Sequence, residues 1–301
     1  MSNKRLIVIA GPTASGKTSL AIQLAKHFNT CVISADSRQF YREVAIGTAK
    51  PSLEEQEGVS HHFVDSHTLL NPLSASTFAD EALSVLKEAF KTKDTIVLVG
   101  GSGLFIDALC VGLDKIPFSQ EIRNQLNEEL LQVGLDALLV ELQTKDPIFY
   151  SQVDRANATR VIRALEVIRN TGNTFTSYKE NNTKVKRDFT FQYFIINHPR
   201  DILYTRIEQR VDRMIATGLL EEVKSVFHLA HLQALNTVGY SELFRHLKSE
   251  ISLADAIALI KQNTRRYAKR QLTWFRRYEH AYWLESSETE LQVKEVLTNL
   301  K

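Results

Sequence analysis

Cysteine is nearly absent from this chain: two in 301 residues, Cys31 and Cys110. Two thiols cannot build a disulfide scaffold or a four-cysteine zinc site, and their scarcity fits a reducing compartment. No apolar run approaches the ~20 residues that a membrane-spanning helix needs. Lys4 and Arg5 ahead of Leu6 imitate the start of a secretion signal, but the apolar run ends at Ala10 and meets Gly11-Pro12 at once. The chain is therefore expected in the cytoplasm, away from membranes. Excess charge is missing too, since 37 Lys+Arg face 35 Asp+Glu and leave +2. With 44% hydrophobic and 24% charged residues the composition is that of an ordinary globular protein, which excludes a disordered or fibrous chain. At ~150 residues per domain the length allows about two domains. A chain of this size buries roughly 75% of its unfolded surface and needs no covalent staples.

Residues 5–10 form a continuous apolar run, the mark of a strand buried on both faces. Helical spacing follows at Leu20, Leu24 and Phe28. A short strand at 31–35, a helix at 76–90 and a third strand at 95–99 complete a strand–helix alternation. That alternation predicts an α/β fold, a P-loop NTPase-like parallel sheet with helices on both faces. From 119 to 172 the pattern is almost wholly helical. Ser119 is the expected N-cap, and Gly172 ends the last helix. Residues 173–187 are polar and aperiodic and are read as a loop, after which 189–196 is again a strand. The C-terminal third is read as helical. The expected organisation is a core of 1–114 and 188–301, with a basic helical C-terminal part, interrupted by a helical insertion domain over 115–187.

Gly11-Pro12-Thr13-Ala14-Ser15-Gly16-Lys17-Thr18 fits GxxxxGK[ST] between an apolar run and an amphipathic helix. In such a loop, successive backbone N–H groups surround an anion and the following helix adds its positive end. Lys17 supplies a charge, and the Thr18 hydroxyl is a Mg²⁺ ligand candidate. The motif is the one ATP- and GTP-binding proteins use, yet those proteins hold Mg²⁺ with a carboxylate at a neighbouring strand end. Here the strand at 95–99 runs into Gly100-Gly101-Ser102-Gly103. The acidic residue that does sit at a strand's carboxyl end is Asp36, and that edge of an open α/β sheet is where ligands bind. By position alone Asp36 can be a metal carboxylate, a general base or an N-cap.

Between Lys261 and Arg277 there are seven basic residues and no acidic one: Lys261, Arg265, Arg266, Lys269, Arg270, Arg276 and Arg277. Arg266, Arg270 and Arg277 share one helical face, and Arg265, Lys269 and Arg276 form an adjacent stripe. Such a surface suits RNA phosphates. Trp274 and Phe275 are read as core rather than as base-stacking residues. His61 and His62 point to opposite sides of a strand and are read as structural or substrate-contacting, not as metal ligands. Cys31 and Cys110 are assigned to the core.

GPTASGKT at 11–18, ISADSRQFY at 33–41, IGTAKP at 46–51, His61-His62, LVGGSGLF at 98–105, RALEV at 163–167, VGY at 238–240 and NTRRYAKRQLTWFRR at 263–277 occur in this order. Together they resemble the tRNA dimethylallyltransferase (tRNA isopentenyltransferase) family of the bacterial type, over almost the whole chain. The resemblance implies transfer of a dimethylallyl group from dimethylallyl diphosphate to N6 of the adenosine 3′-adjacent to the anticodon in tRNA, with Mg²⁺. It makes Asp36 the general base, has Lys17 and the loop bind the diphosphate, and places Arg210 in the active site. It implies tRNA contacts at Asp36, Ser37, Arg38, Gln39, Ser102, Thr159, Arg160 and Arg163, joined by Arg266, Lys269 and Arg270 of the basic stretch. Ser102 stands where the family has Thr, and Thr159 where it has Gln. Eukaryotic members add a C-terminal zinc finger, which two distant cysteines cannot form. No obligatory protein partner is implied.

Three other readings compete. A P-loop kinase of a small metabolite or nucleoside leaves the basic helix and Gly100-Gly101-Ser102 without a role. An isopentenyltransferase acting on free adenine nucleotides does not need the basic segment or the helical insertion. A non-catalytic RNA-binding protein leaves Lys17, Thr18 and Asp36 unexplained.

Overall fold

The computed structural model describes residues 4–114, 116–180 and 185–300. The chain divides into two compact units, Met1–Val111 with Arg187–Lys301, and Gly112–Lys186. The larger unit runs β1 (Arg5–Ala10), α1 (Lys17–His27), β2 (Val32–Ser34), β3 (His61–His62), α2 (Ala75–Ala89), β4 (Thr95–Gly100) and α3 (Gly103–Cys110). After the smaller unit it resumes with β5 (Thr190–Ile196), α8 (Arg200–Ala216), α9 (Leu219–Ser225), α10 (Tyr240–Leu247), α11 (Leu253–Phe275), β6 (Tyr282–Leu284) and α12 (Thr289–Asn299). The smaller unit holds α4 (Gln120–Lys145, interrupted at Gly134), α5 (Pro147–Gln152), α6 (Ala158–Thr171) and α7 (Phe175–Glu180).

Six strands form one sheet in the order β3-β2-β4-β1-β5-β6, every pair parallel. Alternate residues of the central strands enter opposite layers. Leu6, Val8, Ile96 and Leu98 pack with α2, α3, α10 and α11. Ile7, Ile9, Val97 and Val99 pack with α1 and α12. Both faces are dry, which is why these strands read as unbroken apolar runs. Because all strands run the same way, every strand's carboxyl end lies on one edge of the sheet. The segments that follow β1, β2, β4 and β5 therefore meet there. Among the described residues no helix is long and apolar enough to cross a membrane.

Two local expectations are corrected. Residues 175–180 of the expected loop are helix α7, while 181–184 lie outside the described residues. The cause is remote: the buried Asp146 carboxylate accepts the Thr176 N–H at 2.9 Å and its hydroxyl at 2.8 Å while also capping α5 through Phe149 N–H at 3.0 Å. A cap supplied from thirty residues away leaves no mark in the local pattern. The C-terminal third is not all helical either, since Phe194, Ile195 and Ile196 of β5 pair in parallel with Tyr282, Trp283 and Leu284. Three residues are too few to show a strand period.

In the smaller unit Ser119 caps α4 as expected, accepting Ile122 N–H at 3.4 Å, and Gly172 closes α6 in the left-handed conformation. Its ionic centre is Glu166, fully buried. That carboxylate accepts Ser119 N–H at 3.0 Å, the Arg123 guanidinium at 2.6 and 2.9 Å, and Arg163 at 2.7 Å. Removing one member of a buried ionic network typically costs ~3–5 kcal/mol, because the remaining charge is left uncompensated. Glu166→Ala is expected at the low end, about 3 kcal/mol, since both arginines reach water at their edges. Urea denaturation of the whole chain measures this.

Candidate active site

Between β1 and α1 the chain makes the phosphate loop. Ala14 and Gly16 both have positive φ, 62° and 90°, and Gly16 is the left-handed N-cap of α1. The alternating hand turns successive N–H groups to one side, as an anion nest requires, and the first-turn N–H groups of Lys17 and Thr18 have no partner within the helix. Lys17 Nζ donates to the Pro12 carbonyl at 2.7 Å and lies over the loop. The loop is braced from two sides. Gln271, on α11, accepts Thr13 N–H at 2.9 Å and donates to the Gly101 carbonyl at 2.8 Å, tying the loop to the turn after β4. A Cβ at Gly101 would collide with the Gln271 amide, so the glycine is what admits this brace. On the other side the Ser15 carbonyl lies 2.8 Å from His198 Nε2 and 3.4 Å from Arg206, which itself lies 2.9 Å from the same ring nitrogen. Burial lowers the pKa of His198, so the ring is neutral at physiological pH.

Asp36 follows β2 and closes a turn: one carboxylate oxygen accepts Arg38 N–H at 3.1 Å, and its carbonyl accepts Gln39 N–H at 3.1 Å. Ser102 joins this turn to the end of β4, its hydroxyl accepting Ser37 N–H at 3.0 Å and donating to the Ser37 hydroxyl at 3.1 Å. Arg38 donates to the Ala234 carbonyl at 2.8 Å. From α8, Arg210 reaches the loop and donates to the Thr13 hydroxyl at 3.3 Å. Burial lowers the Lys17 pKa to about 8; the neighbouring Asp36 carboxylate opposes that shift and Arg210 adds to it. Arg210 is lowered by burial and raised by Asp36 in the same way. Two cations and one carboxylate thus share one partly desolvated space, with a net positive charge that suits a polyanion.

The geometry brings together Gly11–Thr18, Asp36–Gln39, Ser102 and Arg210. It also adds Gln271 and His198, which the sequence did not single out, and it brings in Arg206 and Tyr267 from segments that the sequence did mark. Burial pushes the Tyr267 hydroxyl up to about 12, and Asp36, Ser102, Arg38 and Arg270 all act on it. A lone buried Gln inside a basic helix gives no pattern to search for, although all but His198 fall within segments that carry the resemblance. Thr159, Arg160 and Arg163 lie on α6 of the smaller unit. Thr159 and Arg160 are exposed. The Arg163 guanidinium is engaged by Glu166 and by the Pro117 and Ile116 carbonyls at 2.9 and 3.1 Å.

On α11, Arg266, Lys269 and Arg270 are exposed. Arg270 lies 5.7 Å from the Tyr267 ring centroid. The neighbouring stripe is partly neutralised by acids of α8, Lys261 by Asp212 at 2.6 Å and Arg265 by Glu208 at 2.8 Å. Phe275 is buried, and Trp274 donates to Asp107 at 3.0 Å. His61 and His62 form the edge strand β3, both partly buried with lowered pKa values. Cys110 is buried, and burial pushes its thiol up to about 12; Cys31 is half-buried.

Fold and site together define an α/β protein with a P-loop-type turn between its first strand and first helix and a carboxylate beside that turn. Residues 39–278 match the profile of the IPP transferase family. The chain is 46% identical over 289 residues to the tRNA dimethylallyltransferase of Christiangramia forsetii, covering 96% of this chain and 95% of the relative. It superimposes on the tRNA isopentenylpyrophosphate transferase of Bacillus halodurans with a TM-score of 0.72 at 34% identity, over 98% and 95% of the two chains. A eukaryotic dimethylallyltransferase acting on tRNA gives 0.78 at 26% identity, over 99% of this chain and 76% of the other. The chain belongs to the IPP transferase family.

The Lys17 shift has a consequence for the ligand-free protein. Its pKa of about 8 lies below the ~10.4 of an unfolded lysine. Below pH 8 both states are protonated and the cost of burying the ammonium is present in full. Between the two values the unfolded chain binds more protons, so stability rises with pH. Lys17→Met is therefore expected to be more stable than the parent at neutral pH, with the difference shrinking towards pH 10. Urea midpoints of the two proteins across that range measure it; a constant difference would mean that the ammonium is fully hydrated.

Proposed function

We propose that this chain transfers a dimethylallyl group from dimethylallyl diphosphate to N6 of the adenosine 3′-adjacent to the anticodon of tRNA, acting in the cytoplasm. The observation that supports this best is the phosphate loop with Lys17 and Arg210 facing Asp36, in a member of the IPP transferase family. The core, 1–114 with 188–301, carries the chemistry, and 115–187 is an insertion domain whose Thr159 and Arg160 offer further tRNA contacts.

The C1–O bond of the donor breaks as positive charge builds on C1, and the electron pair leaves with the diphosphate. Fixed donors aimed at that charge lower the barrier: the loop N–H groups, Lys17 and Arg210. The N6 lone pair attacks C1, and Asp36 accepts the N6 proton. Ser37, Arg38, Gln39 and Ser102 form the wall against which the base lies, with Tyr267 beside them. The hard oxygen donors suit Mg²⁺, which takes few protein ligands and completes its shell with phosphate oxygens and water. The Thr18 hydroxyl, at the first turn of α1, would hold the ion, and bound there it would neutralise charge on the leaving diphosphate.

Mass spectrometry of tRNA and of AMP after incubation with dimethylallyl diphosphate and Mg²⁺ tests the reading. The prenyl group is expected on tRNA alone, and ATP consumed in step with product would instead favour a kinase. Asp36→Asn is expected to bind both substrates but to lose about 10²–10⁴-fold in single-turnover rate, the usual worth of a general base. A rate within tenfold of the parent overturns that role. Neutralising Arg266 and Arg270 is expected to weaken tRNA binding and to flatten its log–log salt slope by roughly 0.7–0.9 per lost phosphate contact.

A further inference from the structure

One carboxylate outside this chemistry is unusually well bonded. Glu222, on α9, accepts the N–H groups of Ala45 and Ile46 at 2.7 Å each with one oxygen. Its other oxygen accepts Gly47 N–H at 2.9 Å and the Tyr240 hydroxyl at 2.6 Å. Three successive backbone N–H groups converging on one anion form a nest, and bonds to a charged acceptor are about twice as strong as neutral ones. Gly47 is a requirement of this packing, because a Cβ there would stand 2.6 Å from the Tyr240 oxygen.

The clamped turn leads back to the active site. Lys50 N–H closes it onto the Ala45 carbonyl at 3.1 Å, and Ala49 N–H onto Ile46 at 3.0 Å. The Thr48 and Ala49 carbonyls are thereby presented to the Gln39 amide, which donates to them at 3.3 and 3.1 Å. Gln39 also accepts from the Ser34 hydroxyl at 3.3 Å, and its N–H closes the Asp36 turn. Every link from Glu222 to Asp36 is a hydrogen bond or a short stretch of backbone within one compact unit.

We propose that Glu222 is a positioning residue: through the turn 45–49 and Gln39 it sets where the Asp36 carboxylate meets the acceptor amine. The proposal rests on the reading of Asp36 as proton acceptor. A carboxylate displaced by ~1 Å can lose ~10²-fold in rate without any loss of binding.

Single-turnover rates at saturating donor and tRNA test it, with inorganic pyrophosphate affinity measured separately. Glu222→Gln is expected to slow transfer about fivefold or more while pyrophosphate affinity stays within about twofold, since the phosphate loop is braced elsewhere. Tyr240→Phe, which removes one bond and keeps the ring, is expected to slow transfer less and in the same direction. It carries the test if Glu222→Gln does not fold. Combined with Gln39→Ala, either variant is expected to add little further loss, because neighbours acting in series are not additive. A loss below fivefold in folded Glu222→Gln, or losses that multiply in the double variant, overturns the proposal. Asp36→Asn assayed alongside separates the two ideas. If it keeps the parental rate, the Asp36 reading fails whatever Glu222 does. If it is slow and Glu222→Gln is not, only the positioning role fails.

Discussion

Holding an ammonium, a guanidinium and a carboxylate next to one another, partly out of water, is the constraint on which the rest of the larger unit depends. Desolvation of such groups is costly, and burial alone would drive Lys17 towards its neutral form. Asp36 offsets part of that cost for both cations. The remainder is carried by the fold, since the buried sheet and its two apolar layers supply the stability that a positively charged pocket removes. At neutral pH Lys17 keeps its charge, so the site is built at some expense to the ligand-free protein.

The all-parallel sheet is what makes the assembly possible. Antiparallel strands would send alternate connections to opposite edges, and the loop after β1 could not meet the turns after β2 and β4. Proximity at the edge still leaves the segments loose, and three side chains tighten them. Gln271 fastens the phosphate loop to Gly101, Ser102 fastens Ser37, and Gln39 fastens the Asp36 turn to the turn at 48–49. Each is a polar group whose hydrogen bonds join separate segments, so the placement of one segment fixes that of the next.

The helical unit uses the same logic at a different scale. Glu166 gathers Arg123, Arg163 and the Ser119 N–H, so the RALEV segment that marks the family in the sequence also centres a buried ionic network. Arg169 does likewise at the surface, with Glu129 at 2.7 Å and Glu141. Arg163 therefore shows how a conspicuous arginine can be occupied by its own unit.

The sequence by itself determined the alternation of strands and helices, the phosphate loop and the position of Asp36 at a strand end. It did so because buried parallel strands are apolar throughout and because the loop's chemistry is confined to eight consecutive residues. Ser119 and Gly172 were legible for the same reason, as caps act within one turn. What the tertiary structure alone decided are the contacts between distant segments: Gln271 on the loop, Glu222 on the turn at 45–47, Asp146 on α7, and the acids of α8 against Lys261 and Arg265. A hydrogen bond between residues far apart in the chain leaves no periodicity and no spacing in the sequence. It is set by where folding carries the two elements, and only then does a buried glutamine or glutamate acquire its role.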